Sequence, residues 1–306
     1  MALSVDRDTS HIPHHLGHQD DGKALRQAVW FTLGFALVEA VAGVWSGSLA
    51  LLSDAGHMLT DSLALSLAAA AAWLARKPPS ARHTYGLVRS EILAALINSV
   101  VMLVLIGFIV FEAISRLSQP RPVQGGTVML VAAGGLLVNL AVAWLLHRAE
   151  HDHTHADGHG SINTRAALLH VLGDLLGSVA ALIAGAVIWF TGYTPIDPML
   201  SLLVAGLILI SAWRLLRESV HILMEAVPAH IRLDDVAHDM AAVPGVRHVH
   251  DLHVWALSSG QIALSAHLEL NCFDDWSRIL HATRQCLDTR HGIRHVTLQP
   301  EIATLP

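Results

Sequence analysis

Two pairs of residues with the same spacing lie inside otherwise apolar stretches of the chain. His57 and Asp61 form one His-x-x-x-Asp pair, and His170 and Asp174 form the other. Residues four apart share one face of a helix, so each pair predicts an imidazole beside a carboxylate. Two such faces opposed would supply two nitrogen and two oxygen ligands, a tetrahedral set suited to Zn2+. Ionisable groups at membrane depth are costly, and they are typical of a pathway for ions or protons.

Other polar residues in the apolar stretches leave two interpretations open. Asp54 lies three residues before His57 on roughly the same face. It could form an entry step for a metal ion, or it could tether the hairpin of segments one and two, which the sequence favours slightly. Glu112, four residues before Arg116, is typical of an ion pair at a helix boundary, and Glu91 similarly follows Arg89.

The elements that position these residues are predicted to be membrane-spanning helices. The 306-residue chain is 53% hydrophobic and 14% charged, well below the roughly 25% charged residues of soluble domains. Its apolar residues form six segments, each about as long as the ~20 residues that cross a bilayer. The segments are 25–46, 49–75, 91–115, 126–147, 165–190 and 197–217.

The distribution of basic residues predicts how the helices are oriented. Lys and Arg concentrate before segment one, between segments two and three, around the link between four and five, and after six. The opposite loops are poorer in them: those at 46–48 and 191–197 have none, and the stretch between segments three and four has Arg116 and Arg121. The positive-inside rule therefore predicts a multi-pass protein with both termini in the cytoplasm. A plasma or inner membrane is expected as its location. The net charge of −6 argues against a nucleic-acid partner.

Histidine is unusually abundant, with 22 residues against 19 Lys and Arg together. A His-containing cytoplasmic tail is predicted at 1–24, and a His-rich loop at 147–160 within the membrane domain 25–224. Such polar tracts bind metal weakly, or are simply solvated, because they specify no fixed geometry. The loop residues considered as weak ligands are His151, His153, His155 and His159.

The remaining residues, 225–306, predict a cytoplasmic α+β domain with the ferredoxin-like order αββαβ. The segments behind this order are a helix at 232–246, strands at 249–257 and 261–270, a helix at 276–292 and a strand at 293–302. Strand alternation places His248 and His250 on one face and His253 on the other. The density of His along these strands favours metal binding.

Several stretches are similar to the cation diffusion facilitator family, close to its zinc and cobalt-zinc-cadmium resistance members. The resemblance covers nearly the whole chain after residue 25, and SDAGHMLTD is its most specific motif. The matching stretches are 48–65, 85–98, 168–179, 250–257 and 296–301.

The resemblance implies a homodimeric antiporter that exchanges a divalent metal ion for protons across a lipid bilayer. Its transport site would consist of His57, Asp61, His170 and Asp174. In the family, His at the position of His57 goes with a preference for Zn2+ over Cd2+. Zn2+ is thus expected as both transported and regulatory ion, with Cd2+, Co2+ or Ni2+ as further candidates.

The resemblance also implies a cytoplasmic metal site at His250, His267 and Glu301. Gln299 stands where some members have another His ligand, so one or two metal ions remain possible.

Two other classes of function compete with zinc/proton antiport. A metal-sensing membrane protein without transport would use the His-rich regions, but it needs no ionisable pairs inside the spans. A zinc enzyme needs an open coordination position, which a closed four-ligand shell lacks. The chain also contains no HExxH or GxxxxGK[ST] motif, which argues against a zinc protease and an ATP-driven pump.

Overall fold

Six long helices precede a small mixed domain. The computed structural model describes the backbone of residues 18–151, 162–258 and 260–302, with side chains for 31–141, 144, 173, 175–258 and 260–302. The six helices contain 27 to 30 residues each. They are α1 (His18–Ser46), α2 (Leu49–Ala75), α3 (Ser90–Ser118), α4 (Gly125–His151), α5 (Ile162–Thr191) and α6 (Ile196–Leu223).

Each predicted apolar segment falls within one of these helices, which confirms the helical region. Several helices extend beyond the predicted segments, and α4 continues to His151 and takes in the first residues of the predicted loop 147–160. The reason is local, since Arg148, Ala149 and Glu150 all favour a helix.

Three helices are long and apolar enough, within the described residues, to cross a membrane: α2, α3 and α6. The described parts of α1, α4 and α5 contribute shorter apolar stretches, namely Phe31–Ser46, Gly125–Ala141 and Leu175–Thr191. These lengths and compositions are those of a multi-pass membrane protein.

The chain divides into two compact units. The first contains residues 1–59 and 112–204, and the second contains residues 60–111 and 205–306. In the first unit, glycines allow α4 and α5 to pack closely: a Cβ at Gly125 would lie 2.6 Å from the Trp189 nitrogen, and one at Gly185 would lie 2.5 Å from the Met129 nitrogen.

After α6, in the second unit, the chain forms a three-stranded sheet with two helices. The elements follow the predicted αββαβ order as α7 (Leu233–Ala241), β1 (Val246–Ser258), β2 (Gln261–Leu270), α8 (Trp276–His291) and β3 (His295–Ile302). β1 pairs antiparallel with β2, and β2 pairs parallel with β3. The core of this part is apolar and includes Val236, Met240, Leu264, Leu268, Ile279, Leu287 and Ile293.

Candidate metal sites

Helix α2 carries the first His-x-x-x-Asp pair. His57 and Asp61 lie four residues apart in the uninterrupted helix, and both are half-buried. A regular helix therefore places the imidazole and the carboxylate on one face, as predicted.

The start of α2 is held by a buried carboxylate from α6. Asp197 accepts hydrogen bonds from the N–H groups of Leu49, at 2.6 Å, and Ala50, at 3.3 Å, and from the hydroxyl of Ser48. A negative charge at a helix N-terminus offsets the unpaired N–H groups there and stabilises the helix. This contact fixes the end of the helix that carries His57.

Arg116 lies at the same end of the helices. Its Nε donates to Glu112 at 2.9 Å, which confirms the predicted ion pair. The guanidinium also donates to the backbone carbonyl of Gly47 and lies 4.0 Å from Asp197. Arg116 therefore ties the end of α3 to the turn between α1 and α2.

The predicted pairing of Glu91 is wrong, because Arg89 pairs with Glu225 at 2.8 Å. Arg89 precedes α3, which begins at Ser90, and residues two apart do not face each other along a helix.

The second His-x-x-x-Asp pair lies on α5. His170 and Asp174 keep the four-residue spacing within this helix, but their side chains lie outside the described residues. The four-ligand shell therefore stays a prediction. One turn further along α5, Ser178 donates a hydrogen bond to Asp54 on α2, with 3.0 Å between Oγ and Oδ2. The two helices thus meet next to the predicted ligands.

This contact links Asp54 on α2 to α5, and both roles considered for Asp54 stay predictions. The carboxylate is buried at 2% exposure and contacts α5. It packs so closely on Gly177 that a Cβ at that position would collide with Oδ1. Gly177 therefore permits the close approach of the two helices.

In the mixed domain, three predicted ligands come together. His250 and His267 are partners in the register of β1 and β2, and their rings lie 5.2 Å apart. Glu301 on β3 contacts both rings, with Oε2 3.1 Å from His250 Nε2 and Oε1 2.9 Å from His267 Nδ1. One ligand atom from each residue lies within 4.8 Å of the others. Small side-chain rotations would bring all three to the ~2.0–2.2 Å at which nitrogen and oxygen bind Zn2+.

Asp251 joins this cluster, and the sequence analysis missed it. The residue has φ +49° at an irregularity in β1 between His250 and His253. Its carboxylate lies 2.9 Å from His253 Nε2 and 3.6 Å from His267 Nε2. The hydrogen bond with His253 lowers the pKa of Asp251, against the opposing effect of desolvation. Strict alternation of side chains along β1 would place His253 on the face away from the cluster. Because the Asp251 carboxylate contacts both His253 and His267, it connects His253 to the cluster.

Gln299 lies beside the cluster and contacts Glu301, to which its side-chain N–H donates at 2.9 Å. It therefore orients a predicted ligand.

The predicted loop ligands lie outside the described residues, namely the side chain of His151 and all of His153, His155 and His159.

Comparison with known proteins covers nearly the whole chain. The family model for the cation efflux transmembrane domain matches residues 25–224, and the model for the cation efflux protein cytoplasmic domain matches residues 228–303. A transport family agrees with the prediction that the chain is not an enzyme.

Among curated proteins, the chain is 44% identical over 293 residues to the zinc transporter ZitB of Escherichia coli, covering 95% of this chain and 91% of that protein. It is 38% identical over 296 residues to a cadmium, cobalt and zinc/H(+)-K(+) antiporter of Bacillus velezensis, covering 96% and 92% respectively. A solved structure, the metal-bound C-terminal domain of the CzcD transporter from Cuprividus metallidurans, matches with 36% identity, a TM-score of 0.23, 24% of this chain and 100% of that one.

The matched domains occupy the helical region and the small mixed domain in the expected order, and the relatives align over almost their full length. The chain therefore belongs to the cation efflux family, also called the cation diffusion facilitators.

Proposed function

We propose that this protein is a zinc/proton antiporter that exports Zn2+ from the cytoplasm by alternating access. The observation that carries the proposal is its near-full-length similarity to ZitB, a zinc transporter, and to an antiporter of cadmium, cobalt and zinc. The half-buried His57 and Asp61 on one helix supply the chemistry that such transport needs.

The transport site consists of His57 and Asp61 on α2 with His170 and Asp174 on α5. Two imidazoles and two carboxylates close a tetrahedral shell around Zn2+ without a water ligand. The contact between Asp54 and Ser178, one turn away on the same two helices, supports their opposition.

Proton competition drives the exchange at this site. Imidazole binds a metal only when it is neutral, and its ordinary pKa of about 6.5 lies close to physiological pH. The inward-open state binds Zn2+ with deprotonated ligands, and the outward-open state accepts protons as the metal ion leaves. The proton gradient then supplies the energy, because the two states differ in affinity for each ion.

The proposed function also implies a membrane topology and roles for the cytoplasmic parts of the chain. α1 to α6 all span a plasma or inner membrane, with both termini in the cytoplasm, as the distribution of Lys and Arg favours. Residues 225–306 adopt a ferredoxin-like arrangement and join two copies into a homodimer. Their site at His250, His267 and Glu301 binds regulatory zinc, and the loop 147–160 collects metal weakly.

The experiment that tests the transport site uses purified protein in liposomes that contain a pH dye. Asp61→Ala or Asp174→Ala should reduce zinc-dependent proton flux by at least about 100-fold, because even residues that only orient metal ligands cost ~10–100-fold when changed. Flux is recorded after a zinc pulse at fixed outer pH.

The matched control is Asp234→Ala, which removes an exposed carboxylate at the start of α7. Its flux should equal that of the unchanged protein. Normal flux in both Asp61→Ala and Asp174→Ala would contradict the proposed site. Zinc binding at the cytoplasmic cluster without any flux in the unchanged protein would favour the alternative, a membrane metal sensor.

A further inference from the structure

Three helix ends of the first unit meet at one buried carboxylate. Asp197, the second residue of α6, is fully buried. Its carboxylate accepts hydrogen bonds from two N–H groups at the start of α2, those of Leu49 and Ala50. It also lies 4.0 Å from the guanidinium of Arg116, near the end of α3. We refer to Asp197, Arg116 and the start of α2 together as the clasp.

The clasp pairs the N–H groups of the first turn of α2. These groups have no partner within a helix. Leu49 and Ala50 donate to Asp197, and the next N–H group, that of Leu51, donates to the hydroxyl of Ser48 at 3.3 Å. If Asp197 moved away, two backbone donors would lose their partner, and a buried donor without a partner is costly. The clasp can therefore open only if water takes the place of the carboxylate.

Two spaces border the clasp. A small cleft lies towards the ends of the helices, where Arg116, Thr194 and Pro198 contribute to its lining together with Asp197. A narrow seam between α2, α5 and α6 lies deeper, and its lining includes Ala50, whose N–H group donates to Asp197. The seam has no room for a water molecule. The clasp therefore separates the cleft from the seam.

The seam is polar although it is buried. Ser53, Asp54 and Ser201 contribute to its lining, and each is at most 2% exposed. Among the described residues, the Ser53 hydroxyl has no hydrogen-bond partner. A buried hydroxyl without a partner costs free energy, and the cost is removed when water or an ion reaches it. Helices that only pack against each other need no such group, whereas a path for an ion does.

The seam lies between the clasp and the proposed transport site. Ser53 is four residues before His57 on α2, so the two share one face about 6 Å apart along the helix axis. On α5, Gly177 lines the seam three residues after Asp174. The distribution of Lys and Arg predicts that the start of α2 and the end of α5 face away from the cytoplasm.

We propose that the clasp is the outer gate of the transport path and that the seam is the path by which the metal ion leaves, an inference that rests on the antiport activity proposed above. With the clasp closed, the seam excludes water and the ion cannot leave. Opening moves Asp197 away from the start of α2 and admits water. Because buried charges regain hydration on contact with water, the charges of Asp197 and Arg116 offset part of the cost of opening.

The test measures access to the seam from the outer face of intact cells that express the full-length protein. Ser53→Cys places a thiol in the seam, and a maleimide that cannot cross membranes is added outside. The protein with its two native cysteines, Cys272 and Cys286 of the cytoplasmic domain, gives the background. Asp197→Asn should label the Ser53→Cys thiol at least about tenfold faster, a shift of ~1.4 kcal/mol towards the open state. The reason is that a carboxamide oxygen cannot accept both N–H groups and carries no charge to attract Arg116.

Matched variants separate a gate from general loosening. Arg116→Gln should also speed labelling, whereas Arg121→Gln should not, because Arg121 is largely exposed and contacts Glu112 outside the clasp. Ala132→Cys places a thiol at a fully buried position of α4, and it should stay slow to label in every variant. Tyr193→Cys lies at an exposed position between α5 and α6, and it should label throughout.

Three results would overturn the gate. If Asp197→Asn or Arg116→Gln folds and leaves labelling of the Ser53→Cys thiol unchanged, the clasp is a fixed anchor of α2. If the Ala132→Cys thiol gains reactivity as much as the Ser53→Cys thiol, the variants have loosened the whole unit. If the Tyr193→Cys thiol does not label, the clasp does not face the outside.

A second measurement tests the path and needs no change in the clasp. Labelled Ser53→Cys protein is reconstituted in liposomes, where the bulky adduct should reduce zinc-dependent proton flux by at least about tenfold, while labelled Tyr193→Cys protein keeps its flux. Normal flux in labelled Ser53→Cys protein, or transport by a Ser53→Cys protein that never labels, would overturn the seam as the path. Failure of the antiport proposal looks different, since the unchanged protein would then show no flux whatever the labelling rates.

Discussion

We propose that the identity of the ligand at position 57 determines which metal ion the transport site accepts. A His offers one borderline nitrogen, whereas a carboxylate offers two hard oxygens that suit a larger ion. His57 is also half-buried within an apolar helix.

His57→Asp should therefore raise transport of Cd2+ relative to Zn2+, by about tenfold if the two shells differ by ~1.4 kcal/mol in preference. The measurement is uptake of each metal by liposomes at equal pH gradient, with proton release recorded in parallel. Proton release by the His57→Asp variant would show that its transport site is still functional. An unchanged metal ratio would mean that selectivity is decided elsewhere.

At the scale of elements, local patterns predicted the helices and strands well. The strand predicted at 261–270 coincides with β2 because alternating apolar residues follow the turn glycine, Gly260. The irregularity at Asp251 and the contact between Asp54 and Ser178 could not be predicted in the same way. Both depend on which residues face each other after folding, and a single sequence carries no pattern for that register.

Two helices of the cytoplasmic domain are joined by a polar clamp. Asp239 on α7 lies 2.9 Å from His291 and 2.5 Å from Arg290, both in the last turn of α8. The hydrogen bond with His291 lowers the pKa of Asp239, and Arg290 lowers it further against the effect of desolvation.

A lowered pKa makes the clamp stabilising at neutral pH. Its contribution is complete above the ordinary Asp pKa of about 3.9 and is lost as pH falls through the lowered value in the folded protein. Asp239→Asn should therefore speed hydrogen exchange in α7 and α8 at pH 7, with the difference from the unchanged protein shrinking in acid.

The control for this clamp is Asp288→Asn, whose carboxylate lies 2.8 Å from the highly exposed Arg294. Exposed ion pairs contribute little, so exchange in α8 should hardly change. Equal effects of the two substitutions would show that the partly buried position of Asp239 gives it no special role.

For the whole molecule, the proposal separates two kinds of zinc site. In this proposal, one site carries the transported ion between α2 and α5, and the other binds zinc at the sheet of the cytoplasmic domain. The three side chains of the second site lie on β1, β2 and β3, so the two proposed sites share no residue or element. A site of this kind can bias the transporter between states only if it binds zinc with a different affinity in each state.

Glu301→Gln should therefore weaken cytoplasmic zinc binding without removing transport. Glu301 contacts both His250 and His267, so its loss should reduce affinity by at least about 10-fold, the lower end of the cost for metal-site residues. Zinc titration of the full-length variant should lose the cytoplasmic binding, while proton flux reaches its normal maximum at a higher zinc concentration. Asp61→Ala should show the reverse, with cytoplasmic zinc bound and flux absent. If Glu301→Gln abolishes flux even at saturating zinc, the cytoplasmic cluster is required for transport itself and does not merely regulate it.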